Sequence, residues 1–432
     1  MAKVMVIGSG GREHAIGWKL GLSEQVTRVF YAPGNAGTEE GKGKNVPLVA
    51  KPANFQAFVD FVRKENVDVV VVGPEAPLAD GIVDYFHSQS MRNIFGPTKN
   101  ASLLESDKFF SYDLMHELRI WQADSVKCCS KEEAIRAIKE RTIPDTGSGS
   151  FGIVLKARGL TGGKGVSVCD TQAQALEEIE KHSQAYGAEV LVAERLFGQE
   201  FSVFGISDGN KVLPLEISVQ DHKPLLDGDK GPNTGGMGAY CPAPIAPRHL
   251  LRDIGERIMT PVVRFMKKAG AEYRGFLYAG MIMSGSRPKV LEFNIRLGDP
   301  ETQPLLMMLE SDLFIPIESA LRGGLDKAEM KFKPGASCCV VLASQGYPGD
   351  YKKGLPISGL DEANLPNVKV FHAGTKLDGG RIVTDGGRVL GVTAYSESGI
   401  SGAQKLAYEA AKRIDIPGGF HYRRDIADKA FR

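Results

Sequence analysis

Glu292, Asn294 and Arg296 alternate with apolar residues in the segment 290–296, VLEFNIR. On a strand they would point to one side, because successive side chains point to opposite faces. A carboxylate and an amide oxygen two residues apart suit Mg²⁺, which also keeps water and phosphate ligands, and the planar fork of Arg296 suits a carboxylate. A strand with one solvated face gives the same pattern, but the polar loop that follows, LGDPETQ at 297–303, favours a functional site.

A glycine-rich stretch, KARGLTGGKGV at 156–166, could bind a polyphosphate between two lysines, Lys156 and Lys164. It is not a P-loop. The spacing from Gly159 to the Gly-Lys pair is one residue short, and Gly165 stands where the magnesium-binding hydroxyl belongs. A solvated hairpin is the alternative, but the apolar run just before Lys156 favours phosphate binding, because an unpaired ammonium on an apolar strand is costly.

The loop GSGGREH at 8–14 lies between a predicted strand and a predicted helix, where glycines let a phosphate approach a helix N-terminus. A dinucleotide fingerprint would need a third glycine where Glu13 stands and a ribose-binding acid about 20 residues further on, near the uncharged residues 31–33. We therefore expect a substrate phosphate or ribose on this loop rather than NAD or FAD, with a purely structural turn as the alternative.

The elements that must carry these loops follow from the hydrophobic pattern. Residues 3–7 form a short apolar run, and 13–20 continue with helical spacing. Residues 55–62 repeat apolar side chains on one helical face, and 67–72 form a β-branched run typical of a parallel strand buried on both faces. The first hundred residues therefore predict an open parallel α/β domain, followed by a helix over 100–118.

The rest of the chain predicts an α+β body and a smaller sheet domain. Short strands and amphipathic helices surround the second glycine-rich stretch, which predicts a small lid with a helix at 171–186. Further strand patterns lie at 199–217, 275–293, 337–344, 368–373 and 389–395, and further helix patterns at 247–269 and 305–321. The predicted domains are 1–104, 105–331 with the lid at about 124–194, and 332–432.

Composition limits the partners. In 432 residues, 53 Lys and Arg stand against 52 Asp and Glu, so no global field attracts nucleic acid or an anionic membrane, and we expect neither as a partner. No apolar run approaches the ~20 residues that span a bilayer, and the N-terminus lacks a signal-peptide pattern. The six cysteines include no C-x-x-C pair, which argues against a zinc site and for a reducing, cytoplasmic setting. We expect a monomer.

Taken together, the motifs resemble those of the ATP-grasp enzymes and, within them, the phosphoribosylamine–glycine ligase family. The resemblance runs nearly end to end, with GSGGREHA from Gly8, KARGLTGGKGV from Lys156, QDHKPLLDGDKGPNTGGMGAY from Gln220, LEFNIRLGDPETQPLL from Leu291 and VFHAGT from Val370. It implies ATP-dependent ligation of glycine to 5-phosphoribosylamine through a glycyl phosphate. The products would be glycinamide ribonucleotide, ADP and phosphate, in de novo purine biosynthesis, with Mg²⁺ or Mn²⁺ as the metal.

The resemblance also implies roles for individual residues. Those expected at the nucleotide phosphates are Lys108, Lys156 and Lys164, the last acting catalytically from a covering loop that includes Gly162 and Gly163. Those expected at the adenine and ribose are Glu194, Leu196 and Glu200. Those expected at the metal are Glu292 and Asn294, while Arg296 is a second catalytic residue that orients the glycine carboxylate. Those expected on the phosphoribosylamine side are Gly10, Gly11, Glu13, Glu75, Asp221, Lys223 and Asn233.

Three alternatives stay open: another ATP-grasp carboxylate–amine ligase of purine metabolism, a nucleotide-binding regulator without turnover, and an NAD-dependent dehydrogenase. The presence of all the expected phosphate and metal residues disfavours the regulator, and the broken fingerprint at Glu13 disfavours the dehydrogenase. The chain departs from the usual family pattern at Arg158, where an acid is common, and at Pro224, where a basic residue is common.

Overall fold

A computed structural model describes residues 1–140, 152–162 and 164–431. Gly163, which the sequence analysis assigns to the covering loop, lies outside the described residues. The chain forms two compact units, one of residues 1–101, 202–278 and 295–432 and the other of residues 102–201 and 279–294. The division into three domains stays a prediction. In the part of the chain that the structure describes, no helix is both long and apolar enough to cross a membrane.

The strands and helices are named in chain order. The strands are β1 Ala2–Gly8, β2 Val26–Pro33, β3 Gly43–Asn45, β4 Val69–Val72, β5 Ile94–Phe95, β6 Ser125–Cys128, β7 Ile153–Ala157, β8 Val166–Cys169, β9 Val190–Glu194, β10 Gln199–Asp208, β11 Val212–Pro214, β12 Gln220–Asp221, β13 Pro224–Leu226, β14 Lys230–Asn233, β15 Gly238–Cys241, β16 Arg274–Ser284, β17 Arg287–Asn294, β18 Ala336–Ser344, β19 Val368–His372, β20 Thr375–Asp378, β21 Arg381–Thr384, β22 Arg388–Ser396 and β23 Phe420–His421. The α-helices are α1 Gly11–Gly21, α2 Phe55–Glu65, α3 Glu75–Ala79, α4 Ile82–Ser88, α5 Lys99–Ser106, α6 Lys108–Glu117, α7 Lys131–Glu140, α8 Gln172–Tyr186, α9 Arg248–Ile254, α10 Thr260–Lys268, α11 Thr302–Met308, α12 Phe314–Leu321 and α13 Ile400–Ala411.

The first unit contains a parallel sheet in the order β3-β2-β1-β4-β5. Its central strands carry the predicted apolar runs: Val4 and Val6 of β1 and Val69 and Val71 of β4 lie in one core with Ile16 of α1. The strand order changes direction between β1 and β4. The loops after these two strands therefore open at the edge where open α/β sheets bind ligands. The predicted open parallel α/β fold is confirmed.

The same unit contains an antiparallel sheet in the order β12-β15-β18-β22-β19, with β23 beside β18. Ala403, Ala407 and Ala410 of α13 are buried against it, because small side chains let a helix lie close to a sheet. The predicted strands β18, β19 and β22 are present. The sequence did not predict β15, in which Gly238 pairs with Val340, because this segment belongs to a glycine-rich motif without a strand pattern.

The second unit contains an antiparallel sheet in the order β6-β9-β7-β8, with α7 and α8 packed against it. Ile153 and Leu155 of β7 are fully buried among apolar residues of both helices. The helix predicted at 171–186 is present as α8, and the hydroxyl of Thr171 caps it by accepting from the N–H of Gln174. The predicted metal ligands lie on β17, in the second unit.

Two helices predicted as continuous are divided in the structure. The helix over 100–118 is interrupted at Asp107, which is extended (φ −134°, ψ 102°) and accepts from the N–H groups of Phe109 and Phe110. Aspartate is a strong N-cap, so a new helix begins after it. The helix predicted over 305–321 is interrupted at Leu309, which ends α11 in an extended conformation (φ −66°, ψ 118°).

Candidate functional site

A partly open pocket in the second unit brings together Lys108, Lys156 and Glu292. Lys108 is the first residue of α6, Lys156 lies on β7, and Glu292 lies on β17. The ammonium of Lys108 lies 3.4 Å from Oε2 of Glu292, and the ammonium of Lys156 donates to the carbonyl of Leu291 at 3.0 Å. The Lys108 and Glu292 side chains remain 18% and 36% exposed. Two cations and a carboxylate in one accessible pocket can receive a polyphosphate and its metal ion.

Asn294 completes the predicted metal pair without lining this pocket. It is 6% exposed and lies two residues after Glu292 on β17, so the two side chains share one side of the strand. Among the described residues, no group of three or more His, Cys, Asp or Glu side chains is arranged to hold a metal ion. A carboxylate with one amide fits Mg²⁺ or Mn²⁺, whose remaining positions phosphate and water oxygens fill.

The pocket does not include the residues expected at the adenine and ribose. Glu194 accepts from the N–H of Asp124 at 3.1 Å and pairs with Lys289 at 3.2 Å. Leu196 is half-buried in the segment after β9, and Glu200 is exposed on β10. The structure therefore places all three in the second unit but outside the lining that holds the lysines.

Other residues of α5 and α6 line the pocket and were missed from the sequence. Glu105 is buried in its wall. Ser111, Tyr112 and Met115 follow Lys108 at three, four and seven residues, and all four side chains line the pocket. This spacing is that of one helical face, so the signal was present once Lys108 was taken as a phosphate ligand.

The glycine-rich stretch connects β7 to β8. The N–H of Ala157 donates to the carbonyl of Gly165 at 2.8 Å, which closes the base of the loop. Gly162 has φ +60°, a conformation that favours glycine, and Lys164 is exposed. The loop thus has a fixed base and presents an ammonium to solvent.

In the first unit, Glu13 organises the glycine loop after β1. Its carboxylate accepts from the N–H of Gly10 at 2.7 Å. A Cβ atom at Gly8 would lie 2.4 Å from the Glu13 side chain and one at Gly73 would lie 2.3 Å from it, so these backbones can approach only as glycines. Gly10, Gly11 and Glu13 therefore lie together in this loop, and the carboxylate of Glu13 contacts the loop backbone. Their role in phosphoribosylamine binding stays a prediction.

An alternating series of arginines and carboxylates surrounds this loop. Arg12 pairs with Glu13 at 2.5 Å and lies 3.9 Å from Glu75, and Nε of Arg296 donates to Glu75 at 3.2 Å. Burial raises the pKa of Glu75, but the guanidinium groups of Arg296 and Arg12 outweigh it, and the net pKa lies below the usual value. The structure thus brings Glu75 and Arg296 together. Arg12 was missed from the sequence, although it lies within the quoted GSGGREHA motif.

Arg296 follows β17 instead of lying on it. The strand predicted over 290–296 is wrong at its end, because β17 stops at Asn294 and the chain bends. Arg296 also belongs to a different compact unit from Asn294. Besides Glu75, the side chain of Arg296 donates to the carbonyl of Leu297 at 3.3 Å. The side chain of Arg296 is therefore held by Glu75, at the start of α3, and by the backbone at the start of the loop LGDPETQ.

The loop GDPETQ contributes two carboxylates, the half-buried Asp299 and the buried Glu301. Asp299 accepts from Gln303 at 2.8 Å and pairs with Arg388 of β22 at 3.3 Å. Burial raises the pKa of Asp299, but Arg388 and Arg12 outweigh it, and the net pKa is lowered. Arg388 lies outside every recognised motif, and no local signal in the sequence indicated it.

Glu301 differs from its neighbours. Burial, with a further contribution from Asp221, raises its pKa to about 7, although Lys223 and Arg296 act in the opposite direction. Asp221 and Lys223 therefore lie close enough to Glu301 for their charges to act on its carboxyl group. Asn233, also expected on the substrate side, is exposed at the end of β14 and pairs with Pro224.

Comparison with known proteins identifies the family. Three domains described as those of phosphoribosylglycinamide synthetase match this chain: the N domain at 2–105, the ATP-grasp (A) domain at 106–302 and the C domain at 337–429. The phosphoribosylamine–glycine ligase of Rhodopirellula baltica is 47% identical over 99% of this chain and 97% of its own length.

Solved structures agree with this result. The phosphoribosylamine–glycine ligase of Thermotoga maritima has a TM-score of 0.80 and 33% identity, covering 98% of this chain and 100% of that one. The biotin carboxylase domain of Hydrogenobacter thermophilus 2-oxoglutarate carboxylase, solved with MgADP, has a TM-score of 0.72 and 16% identity over 98% of this chain and 91% of that one, which shows a shared fold. The chain therefore belongs to the phosphoribosylglycinamide synthetase family, the phosphoribosylamine–glycine ligases with an ATP-grasp domain.

Proposed function

We propose that the protein joins glycine to 5-phosphoribosylamine at the expense of ATP, giving glycinamide ribonucleotide, ADP and phosphate in de novo purine biosynthesis. Family membership supports the reaction. The observation that carries it in the structure is the pocket in which Lys108, Lys156 and Glu292 meet. Such a pocket fits the phosphates of a nucleotide together with a metal ion bound to them.

The nucleotide phosphates would lie against Lys108 and Lys156, with Lys164 approaching from the loop between β7 and β8. Glu292 and Asn294 would hold Mg²⁺, or Mn²⁺ in its place, which when bound neutralises charge on the phosphates. Glu194, Leu196 and Glu200 are proposed for the adenine and ribose. They lie outside the lysine pocket, and binding there would extend the site along β9 and β10.

Glycine would be held through its carboxylate by Arg296. A carboxylate oxygen of glycine attacks the γ-phosphorus of ATP, and the bond to ADP breaks, which leaves glycyl phosphate. The amine of phosphoribosylamine then attacks the glycyl carbonyl carbon, phosphate departs, and the nitrogen loses a proton. Catalysis consists mainly of positioning and charge stabilisation, since the acyl phosphate is already activated.

Phosphoribosylamine would bind where the glycine loop meets the arginine–carboxylate series. The proposed residues are Gly10, Gly11, Glu13, Glu75, Asp221, Lys223 and Asn233. Because glycyl phosphate reacts with water, a closing loop that includes Gly162 would protect it until the amine attacks.

We further propose a monomeric, cytoplasmic enzyme with domains at 1–104, 105–331 and 332–432. All six cysteines are free and five of them are buried, as expected of a chain that folds in a reducing compartment. The balanced charge, 53 Lys and Arg against 52 Asp and Glu, creates no global field that would attract a charged partner.

ADP release tests the proposed function. Purified protein is assayed with Mg-ATP and glycine, with and without freshly generated phosphoribosylamine, beside Glu292→Ala and the control Glu180→Ala. Glu180 lies in an exposed pair with Lys131 in the same unit. We expect ADP only with both substrates, a loss of at least about 100-fold in Glu292→Ala, and full activity in Glu180→Ala. Turnover with a different carboxylate, but not with glycine, would assign the chain to another ATP-grasp ligase activity.

A further inference from the structure

Arg158 directly follows β7 and begins the glycine-rich loop. It contacts three consecutive residues at the N-terminus of α6, which are Asp107, Lys108 and Phe109. The carboxylate of Asp107 accepts from Nε of Arg158 at 3.0 Å and from Nη2 at 2.6 Å. The carbonyl of Arg158 accepts from the N–H of Lys108 at 2.9 Å. Its guanidinium lies 5.2 Å from the centre of the Phe109 ring. Arg158 therefore contacts the residue before Lys108, Lys108 itself and the residue after it.

Asp107 gives this contact a defined geometry. Its Oδ1 accepts from the N–H groups of Phe109 and Phe110 and so caps α6, while its Oδ2 accepts both bonds from Arg158. Burial raises the pKa of Asp107, but the hydrogen bonds from Arg158 help to lower it below the usual value. Because both oxygens are engaged, the start of α6 and the base of the loop take one arrangement relative to each other.

Arg158 is also attached to the start of β9. Its Nη1 donates to the carboxylate of Glu189 at 2.7 Å, and its N–H donates to the Glu189 carbonyl at 3.2 Å. Two residues earlier, Lys156 points into the pocket from β7. The guanidinium thus connects the strand that carries one pocket lysine to the helix that carries the other.

We propose that Arg158 is a positioning residue for ATP. By holding Asp107, it fixes Lys108 and Lys156 at the separation that a polyphosphate requires and anchors the base of the loop that carries Lys164. This inference rests on the proposed nucleotide role of the pocket. It predicts that loss of Arg158 weakens ATP binding and leaves the use of glycine unchanged.

The test compares four single variants, Arg158→Gln, Asp107→Asn, Arg158→Lys and Lys127→Gln, with the double variant Arg158→Gln/Asp107→Asn. Arg158→Gln and Asp107→Asn each remove the ion pair, and asparagine preserves the helix cap. The control is Lys127→Gln. Lys127 of β6 pairs with Asp113 of α6 at 2.6 Å, so it also connects a strand to this helix. Its side chain is 37% exposed, which is close to the 40% of Arg158. The measurements are the Kd for Mg-ATP by calorimetry, kcat, the KM values for ATP and glycine, and the melting temperature.

We expect Arg158→Gln and Asp107→Asn each to raise the Kd and KM for ATP about three- to tenfold, since a charged hydrogen-bonded pair is lost from a partly exposed site. The KM for glycine stays within about twofold, and the double variant is close to either single variant, because both remove one interaction. Arg158→Lys restores part of the affinity, and Lys127→Gln matches the wild type.

An unchanged Kd and KM for ATP in Arg158→Gln, or an equal loss in Lys127→Gln, overturns the positioning role. If Arg158→Gln does not fold, Asp107→Asn and Arg158→Lys decide the question by the same criteria. Wild-type protein that binds Mg-ATP but releases no ADP with glycine and phosphoribosylamine overturns the proposed function instead. The two failures are thus read from different measurements.

Discussion

Two charged clusters, one in each compact unit, differ in how far their side chains are exposed to solvent. In the pocket of the second unit, Lys108 and Glu292 remain 18% and 36% exposed, whereas Arg12 and Glu13 of the first unit are 9% and 3% exposed. A charge that stays partly in water can exchange its partner for a phosphate or a metal ion at small cost. A buried charge that loses its partner is strongly destabilising. The lysine pocket of the second unit is therefore suited to exchanging partners with a ligand, and the Arg12–Glu13 pair of the first unit to holding the glycine loop in a fixed geometry.

The largest expected effect comes from Arg296→Ala. It removes the fork proposed for the glycine carboxylate and leaves Glu75 without the guanidinium that lies 3.2 Å from it. We expect kcat/KM for glycine to fall by about 1,000-fold, near 4 kcal/mol of transition-state stabilisation, with the KM for ATP almost unchanged. Steady-state kinetics with each substrate varied in turn measure both.

Arg296→Lys is the matched control for this variant. It keeps the positive charge beside Glu75 but not the planar fork, so we expect an intermediate loss. An equally large rise in the KM for ATP would contradict the assignment of Arg296 to glycine and of the lysine pocket to ATP.

The next effect is on stability. Asp299→Ala breaks the pair with Arg388, whose side chain is only 21% exposed, and should lower the free energy of unfolding by about 3 kcal/mol. Asp385→Ala, which loses only exposed contacts with Lys353 and Lys376, should change it by less than about 0.5 kcal/mol. Urea unfolding compares the two. Equal losses of unfolding free energy would mean that the Asp299–Arg388 pair contributes no more to stability than the exposed pairs of Asp385 do.

The smallest effect depends on pH and concerns Glu301. Its folded pKa of about 7 lies above the ordinary glutamate value of 4.5, so the folded state retains a proton that the unfolded state has released between these pH values. The stability contributed by the neutral acid is therefore present below about pH 4.5 and is lost as the pH rises towards 7. Relative to Glu301→Gln, the wild type should lose on the order of 2 kcal/mol between pH 4.5 and 7.5.

Urea unfolding at several pH values checks this prediction. Asp221→Asn provides the control, because Asp221 contributes to the raised pKa of Glu301 and its neutralisation should shift the transition to lower pH. Parallel pH profiles for the wild type and Glu301→Gln would show that the carboxyl group does not hold its proton in the folded state.

The sequence predicted the features that depend on neighbouring residues. The β-branched run at 67–72 ends in the buried strand β4, Val69–Val72, and the apolar run before Lys156 does place that lysine on a strand. The interruption at Asp107 could have been found as well, since aspartate at a helix start is a local signal. These elements are set by periodicity and capping, which act over a few residues.

The features that escaped prediction depend on residues far apart in the chain. Arg388 reaches Asp299, and Arg158 reaches Asp107, through pairings that leave no local pattern. A lone arginine in a sequence gives no indication of which carboxylate it will meet, because the partner is decided by sheet order and register. The sequence therefore predicted the motif residues of the candidate site but not the side chains that hold those residues in position.

The pairing of β15 with β18 has a consequence for synthesis of the protein. Ala239, Tyr240 and Cys241 are fully buried in the finished sheet, yet their partner strand begins only at Ala336. On a ribosome adding roughly 5–20 residues per second, β15 waits for seconds with an open edge and apolar side chains exposed. An open strand edge is a template for pairing with other chains. Nascent chains halted between these two strands should therefore aggregate or occupy chaperones.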